Sequence, residues 1–374
     1  MNAGLIVIIL LLVLSILGIP IYLALGIGTL VALNMADMPF IVLPQKLFAG
    51  MNSSSLLAIP FFMLAGNIMS RSITGKLIDV SNALIGWIKG SLAVVTVLAS
   101  ALFGAISGSG VATASAVGGT TIPAMKEEGY PDHFAAAISG IAAILGPIIP
   151  PSITLIVYAS ITDLSVSKLF VGSVIPGILM AVGLIIYALF YGKKNDLPAH
   201  ERKSAKEVLL IFKDSIWALL MPVIILGGIF GGIFTPTESA AVAVVYALLV
   251  SLLIYKDIKI KDIPGIFVDG AISTATILML VGISKSSGYV ITTSGLPHQV
   301  LEVFSSFTNS TVVILLLLNI LFLVIGMLME ANAAIIMMTP ILLPLLDAFG
   351  IDPLQFGIMM SFNLCIGLVT PPVG

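Results

Sequence analysis

The stretch Ile141-Ala-Ala-Ile-Leu-Gly-Pro-Ile-Ile-Pro-Pro-Ser152 decides how this chain is read. It lies inside an uncharged run, 133–162, long enough to cross a bilayer, yet it carries three prolines and a glycine. Proline removes a backbone donor and clashes with the preceding turn, at about 3 kcal/mol in a helix interior. Irregular backbone at membrane depth survives only where protein buries it or where it lines a watery cavity. A second such element, Gly367-Leu-Val-Thr-Pro-Pro-Val-Gly374, stands further along.

A shift of 221 residues superimposes the two. Gly146 falls on Gly367, Pro150-Pro151 on Pro371-Pro372, Pro123 on Pro344 and Gly129 on Gly350. Three of the five prolines in 104–152 meet prolines in 325–373, which points to an internal repeat. Matched Gly/Pro-interrupted segments in two halves are the best sequence pointer to a transporter's binding site. Whether the halves are inverted depends on an odd number of spans between them, and 265–310 can be parsed in more than one way. A hairpin-like stretch precedes each break. The first, Phe103–Ala116, is dense in Gly, Ala, Ser and Thr; the second, Gly326–Ala334, holds Glu330, the only acid between Glu302 and Asp347. An acid near the bilayer centre costs about 2.5–3.5 kcal/mol on insertion scales, so its default reading is functional.

The surrounding composition agrees. Of 374 residues, 59% are hydrophobic and 9% charged, and the mean hydropathy is +1.19. That excludes a disordered chain, and a single cysteine, Cys365, excludes a disulfide scaffold. A net charge of −2 offers no footprint for nucleic acid. Uncharged runs such as 1–36, 90–125, 169–192, 215–237 and 303–329 suggest roughly ten membrane-embedded segments, some too short to cross. The runs are apolar all round, which favours an all-α polytopic membrane protein over a β-barrel. Leu5–Leu17 lacks the basic flank and cleavage site of a signal peptide and is expected to stay in the first span. Lys193, Lys194, Arg202, Lys203, Lys206 and Lys213 crowd one loop, and Lys256, Lys259 and Lys261 another. Two spans separate these loops, so both lie on one side, the cytoplasmic one by the positive-inside rule.

The chain resembles the large membrane subunit of TRAP (tripartite ATP-independent periplasmic) transporters. Carrying the resemblance are Ser107-Gly-Ser-Gly-Val-Ala-Thr113, Pro123-Ala-Met-Lys-Glu-Glu-Gly-Tyr130 and Gly146-Pro-Ile-Ile-Pro-Pro-Ser152. Phe234-Thr-Pro-Thr-Glu-Ser-Ala240, Gly350-Ile-Asp-Pro353 and the closing Gly367–Gly374 element complete it. It covers essentially the whole chain. Family members run on for some tens of residues past the last element, so a further helix is expected there. Many relatives have Asp where Glu330 stands, a difference that fits a difference in substrate size.

The resemblance implies a sodium-driven secondary carrier of the bacterial inner membrane, working by an elevator motion on an organic carboxylate. It implies scaffold helices in 1–90, a first transport-domain repeat in 91–162, and connecting scaffold in 163–310 with the cytoplasmic loop 193–213. A second repeat follows in 311–374, each repeat pairing a re-entrant hairpin with a broken helix. The expected partners are a small four-helix membrane subunit, a periplasmic substrate-binding protein and membrane lipid. No cofactor beyond coupling sodium ions is expected. Carried over residue by residue, one sodium site falls on Ser107 and Ser109 with the carbonyls of Gly146, Ile149 and Pro151. The repeat shift puts its partner at Gly326, Gly367 and Thr370. Ser109, Glu330 and Asn332 are the candidate substrate contacts, with half-helix N-termini turned to the carboxylate. Glu330 itself suits orienting hydroxyl groups or helping to hold sodium.

Blander readings stand beside these. Gly/Ala/Ser runs also serve close helix packing in lipid, and a lone proline is often a tolerated kink. Glu238, beside Thr235-Pro-Thr237, reads first as a helix cap. The 16 methionines read as apolar packing. His133, His200 and His298 are scattered without metal spacing. Lys285, among Ser284, Ser286 and Ser287, either pairs with an acid or snorkels to the interface. No catalytic constellation is apparent, so an enzyme is disfavoured. A stand-alone sodium–dicarboxylate carrier is the alternative within transport. Sialic acids, C4-dicarboxylates and other carboxylates all remain open as cargo.

Overall fold

Helices account for nearly every described element, as expected of backbone that must satisfy its own hydrogen bonds in lipid. A computed structural model of the chain describes residues 2–371. Among the described residues, seven helices are long and apolar enough to span a membrane, or eight if Val42–Met51 and Ser54–Ser70, bent by 61°, count as one. Shorter apolar helices are Ala3–Ile16, Ile21–Met35, Ser91–Ser107 and Pro353–Gly367. The ambiguous 265–310 stretch resolves into one 31-residue helix, Ile263–Thr293, and a 12-residue helix, Leu296–Phe307.

The chain forms two compact units, each assembled from distant segments. One comprises Met1–Leu57, Thr154–Ser165 and Ser273–Gly374; the other comprises Ala58–Ile153 and Val166–Ile272. In the first, Ala3–Ile16 and Ile21–Met35 pack along each other around a turn at Gly18, whose φ of 83° suits glycine. In the second, Val166–Lys194 exposes Val171, Ile175, Leu179, Val182, Ile186 and Phe190. Their three- and four-residue spacing makes one outward apolar stripe, the face a helix turns to lipid.

Helix starts follow local chemistry. Thr235 caps Pro236–Leu249: its hydroxyl accepts from Glu238 N at 3.3 Å, and the Glu238 carboxylate accepts from Thr235 N at 2.8 Å. Glu238 therefore has a complete structural role as the third residue of a capping box. Thr235→Ala is expected to cost about 1 kcal/mol of stability, the usual loss for such a cap. Thermal unfolding of the two proteins checks this expectation.

The lysine-rich loop is tied to the rest of its unit by several bonds. Pro198 O accepts from Gly90 N at 3.0 Å, and His200 N donates to Gly86 O at 2.9 Å. His200 Nε2 stands 2.8 Å from Glu128 Oε1, and Lys89 pairs with Asp196. The Lys89 hydrogen bond and charge hold the Asp196 carboxyl below the usual carboxylate range. Residues 195–204 thus strap two neighbouring turns of their unit.

Candidate functional site

In the second unit the helix that begins at Asp132 breaks where the prolines require it. Leu145–Ile148 forms its last turn, Ile149 turns extended (φ −77°, ψ 128°), and a new helix starts at Ile153. Facing the break is a hairpin tip. Its first arm, Ser91–Ser107, stops at Gly108, which adopts φ 63°; Ser109 then caps the second arm, its hydroxyl accepting from Ala112 N at 3.3 Å.

Glycines let tip and break meet backbone to backbone. A Cβ on Gly146 would stand 2.7 Å from both Ser109 O and Thr113 Oγ1. One on Gly108 would stand 2.5 Å from Pro151 O, so this position is held to glycine by space as well as by φ. Gly108 O accepts from Ile153 N at 3.4 Å across the same seam. Ser107 and Thr113 are buried, and their hydroxyl oxygens lie 3.4 Å apart. Thr113 donates to Ser109 O at 2.7 Å, so toward Ser107 its oxygen presents lone pairs. The structure thus brings Ser107, Ser109, Gly146 and Pro151 together. The Ile149 side chain packs away from them, on Gly177.

The first unit holds a parallel arrangement. Hairpin arms Thr311–Leu328 and Ala331–Phe349 precede the helix Pro353–Gly367. A Cβ on Gly326 would stand 2.7 Å from Leu364 O and 3.0 Å from Gly367 Cα. Gly326 and Gly367 are therefore in backbone contact. Thr370 N donates to Gly367 O at 2.9 Å, and its hydroxyl reaches Ile366 O at 3.2 Å. Pro372, Val373 and Gly374 of the closing element lie outside the described residues.

Glu330 caps the second arm of this hairpin. One carboxylate oxygen accepts from Ala333 N at 3.1 Å and the other from Asn332 Nδ2 at 2.6 Å. Asn332 Oδ1 has no hydrogen-bond partner among the described residues. Adding 221 to the helix bounds of the first hairpin (91–107 and 110–127) gives 312–328 and 331–348, against observed bounds of 311–328 and 331–349. The same shift carries Ser109 onto Glu330 and the positive-φ Gly129 onto the positive-φ Gly350. Ser109 and Glu330 thus perform one task at one position of their respective hairpins.

The family model "Tripartite ATP-independent periplasmic transporter, DctM component" matches residues 8–374. The chain belongs to this family. Among similar TRAP large permeases, the C4-dicarboxylate permease of Pseudomonas aeruginosa is 41% identical, over 88% of this chain and 77% of its own. An isethionate TRAP transporter permease of Oleidesulfovibrio alaskensis is 38% identical, over 96% and 57% respectively. The sialic acid permease of Vibrio cholerae is 36% identical, over 88% and 78%.

Two features of this TRAP permease escape sequence reading. Thr113 ends the quoted Ser107–Thr113 motif, but only its inward turn beside Ser107 sets it apart from the small residues around it. Asn363, buried in Pro353–Gly367, donates to Asn319 Oδ1 at 2.6 Å on the first hairpin arm. The available signal was two amides in otherwise apolar helices, where polar side chains hydrogen-bond across helix pairs.

Proposed function

We propose that this TRAP permease is a sodium-coupled carrier that takes a small organic acid, a carboxylate, across the bacterial inner membrane by an elevator motion. In this reading it works with a small membrane subunit and a periplasmic binding protein. The observation that carries it is the pairing, in each half, of a hairpin tip with the end or break of the following helix through glycine backbones. Unwound backbone there offers carbonyl oxygens to a cation without burying a full negative charge.

Two oxygens that hold one hard cation at about 2.4 Å from adjacent octahedral positions stand about 3.4 Å apart. Ser107 Oγ and Thr113 Oγ1 have this separation, which is long for a hydroxyl hydrogen bond. Thr113 therefore joins Ser107, Ser109 and the carbonyls of Gly146, Ile149 and Pro151 in the first proposed site. Gly326, Gly367 and Thr370 form its counterpart. Support for an inverted repeat comes from counting crossings. Five candidate spans, from Asp132–Thr162 to Ile260–Thr293, separate the two hairpins. Leu296–Phe307, about 18 Å long, is too short to cross. An odd number turns the second hairpin to the opposite side. Relatives named for C4-dicarboxylate, isethionate and sialic acid share an anionic head, and Ser109, Glu330 and Asn332 are the proposed substrate contacts.

The test is uptake into proteoliposomes holding the complete transporter, with labelled succinate, sialic acid and isethionate. Uptake should require an inward sodium gradient and the binding protein. Equal uptake under a potassium gradient would refute sodium coupling; equal uptake without the binding protein would favour a stand-alone carrier. Ser107→Ala, Thr113→Ala and Thr370→Ala should each raise the sodium concentration for half-maximal uptake about tenfold, equivalent to about 1.4 kcal/mol. Unchanged sodium activation in all three would show the sites to lie elsewhere.

A further inference from the structure

Lys285 takes no part in the sites above, yet its surroundings are built. In the first unit, Val42–Met51, Ile263–Thr293 and Ala331–Phe349 enclose a cavity of about 440 Å³, within the range of small-molecule sites. Two lysines, Lys46 and Lys285, line it, and no carboxylate does. Lys46 Nζ lies 4.3 Å above the centroid of the Tyr289 ring. Lys285, half-buried, forms no hydrogen bond or ion pair among the described residues. Its stem runs over Gly50, where a Cβ would come within 2.5 Å of Lys285 Cγ and 2.7 Å of its Cβ. Glycine at 50 is what admits the lysine.

The other polar groups are already engaged. Ser284 donates to Leu280 O at 2.5 Å and Thr292 to Gly288 O at 2.7 Å. The free donors are therefore the two ammonium groups and the Tyr289 hydroxyl, set against an apolar wall that includes Ile336 and Pro340. That combination suits an anionic head on a small organic body, because hydrogen bonds between ionised groups are the strong ones. The acid that acts electrostatically on Lys285 is the exposed Asp163, so the two lysines leave a net positive charge. The helix Ile263–Thr293 leaves the lysine-rich cytoplasmic loop at its start, and Lys285 lies 22 residues further on, about 33 Å along the axis. That exceeds the roughly 30 Å of hydrocarbon and puts the cavity toward the opposite, periplasmic face.

We propose that this cavity is an anion-capture vestibule, in which Lys46 and Lys285 hold the carboxylate or sulfonate head of an incoming organic acid before transport. The inference rests on the carrier reading given above. It is tested by binding, without transport. The full chain is purified in an uncharged maltoside detergent and its lysines are reductively ¹³C-methylated, which preserves their charge. Lys46→Arg and Lys285→Arg assign the two signals. Succinate, N-acetylneuraminate and isethionate are then titrated against sodium chloride at matched ionic strength. At least one should shift both signals saturably, and Lys46→Gln should weaken the response at Lys285 about tenfold in Kd. Shifts no larger than those of the salt control for all three anions would overturn the proposal.

A phospholipid headgroup offers the same chemistry, so the titration is repeated in phosphatidylglycerol nanodiscs. Retained responses support capture of a soluble anion, whereas their loss assigns the cavity to lipid and overturns the proposal. Uptake without any shift would refute the vestibule alone, and a shift without uptake would refute the carrier reading alone. Where uptake is measurable, Lys285→Gln should raise KM about tenfold with kcat within about twofold, the pattern of lost ground-state binding. Lys285→Arg should restore KM. A fall in kcat that arginine does not rescue would mean a packing role instead.

Discussion

Gly146→Ala is expected to abolish the proposed sodium-driven uptake while leaving the protein folded, and Gly367→Ala to do the same from the other half. At Gly146 the new methyl would stand 2.7 Å from Ser109 O and Thr113 Oγ1. Neither can yield cheaply, since Ser109 O belongs to the backbone of the tip and accepts the Thr113 hydroxyl at 2.7 Å. The tip must therefore lift as a whole. Overpacking of this kind costs about 1–3 kcal/mol. At about 2.7 kcal/mol the docked tip loses roughly a hundredfold in population, and oxygens placed by docking lose their ion with it. At Gly367 the methyl would stand 2.6 Å from Gly326 C and 2.9 Å from Met327 N, again backbone on both sides. Initial uptake rates over a sodium series, with thermal unfolding of the same samples, separate a lost site from a lost fold. Wild-type uptake in either variant would show that its tip need not dock for transport.

The first break was legible in the sequence because proline and glycine act locally, whereas Pro372 and the rest of the second element lie outside the described residues. Ile148 ends its helical turn just before Pro150-Pro151, and the later helix ends at Gly367, three residues before Thr370-Pro371. The long apolar helices were legible from uncharged runs that charge clusters punctuate, although the roughly ten expected segments appear, among the described residues, as seven or eight helices long enough to span and four shorter ones. The 265–310 stretch was not. It mixes Asp269, Lys285 and several glycines into an apolar run, so no amphipathic period separates one 31-residue helix from two short ones. The two-unit organisation was equally hidden, since residues such as Thr154–Ser165 join distant segments through contacts that no local pattern encodes. At the site, Ser109 and Glu330 stood out as polar residues near the breaks. Their equivalence did not, because a hydroxyl and a carboxylate look unrelated until both are seen accepting from the amide three residues on.

Gly357→Ala is expected to be the most damaging glycine substitution outside the two proposed ion sites. Tyr158 lies on the helix that resumes after the first break, and Gly357 on the first turns of Pro353–Gly367. The tyrosine is fully buried, and its hydroxyl donates to Pro353 O at 2.7 Å, fixing the ring at both ends. A methyl on Gly357 would stand 2.7 Å from Tyr158 Cζ and closer still to the ring carbons beside it. With no room to swing, the ring must push the two helices apart, at about 2–3 kcal/mol. Tyr158→Phe removes only the hydroxyl and should cost about 1 kcal/mol. Tyr158→Ala vacates the ring's volume at about 3–5 kcal/mol. In the double variant the alanine methyl meets empty space, so the combined loss should fall short of the sum by about 1–3 kcal/mol, the coupling expected of touching residues. Denaturant unfolding of the four proteins measures this directly, and strict additivity would mean that ring and glycine are not pressed together. Uptake should follow the same order. The contact holds Pro353–Gly367 within its own unit, and the end of that helix carries Gly367 of the second proposed ion site.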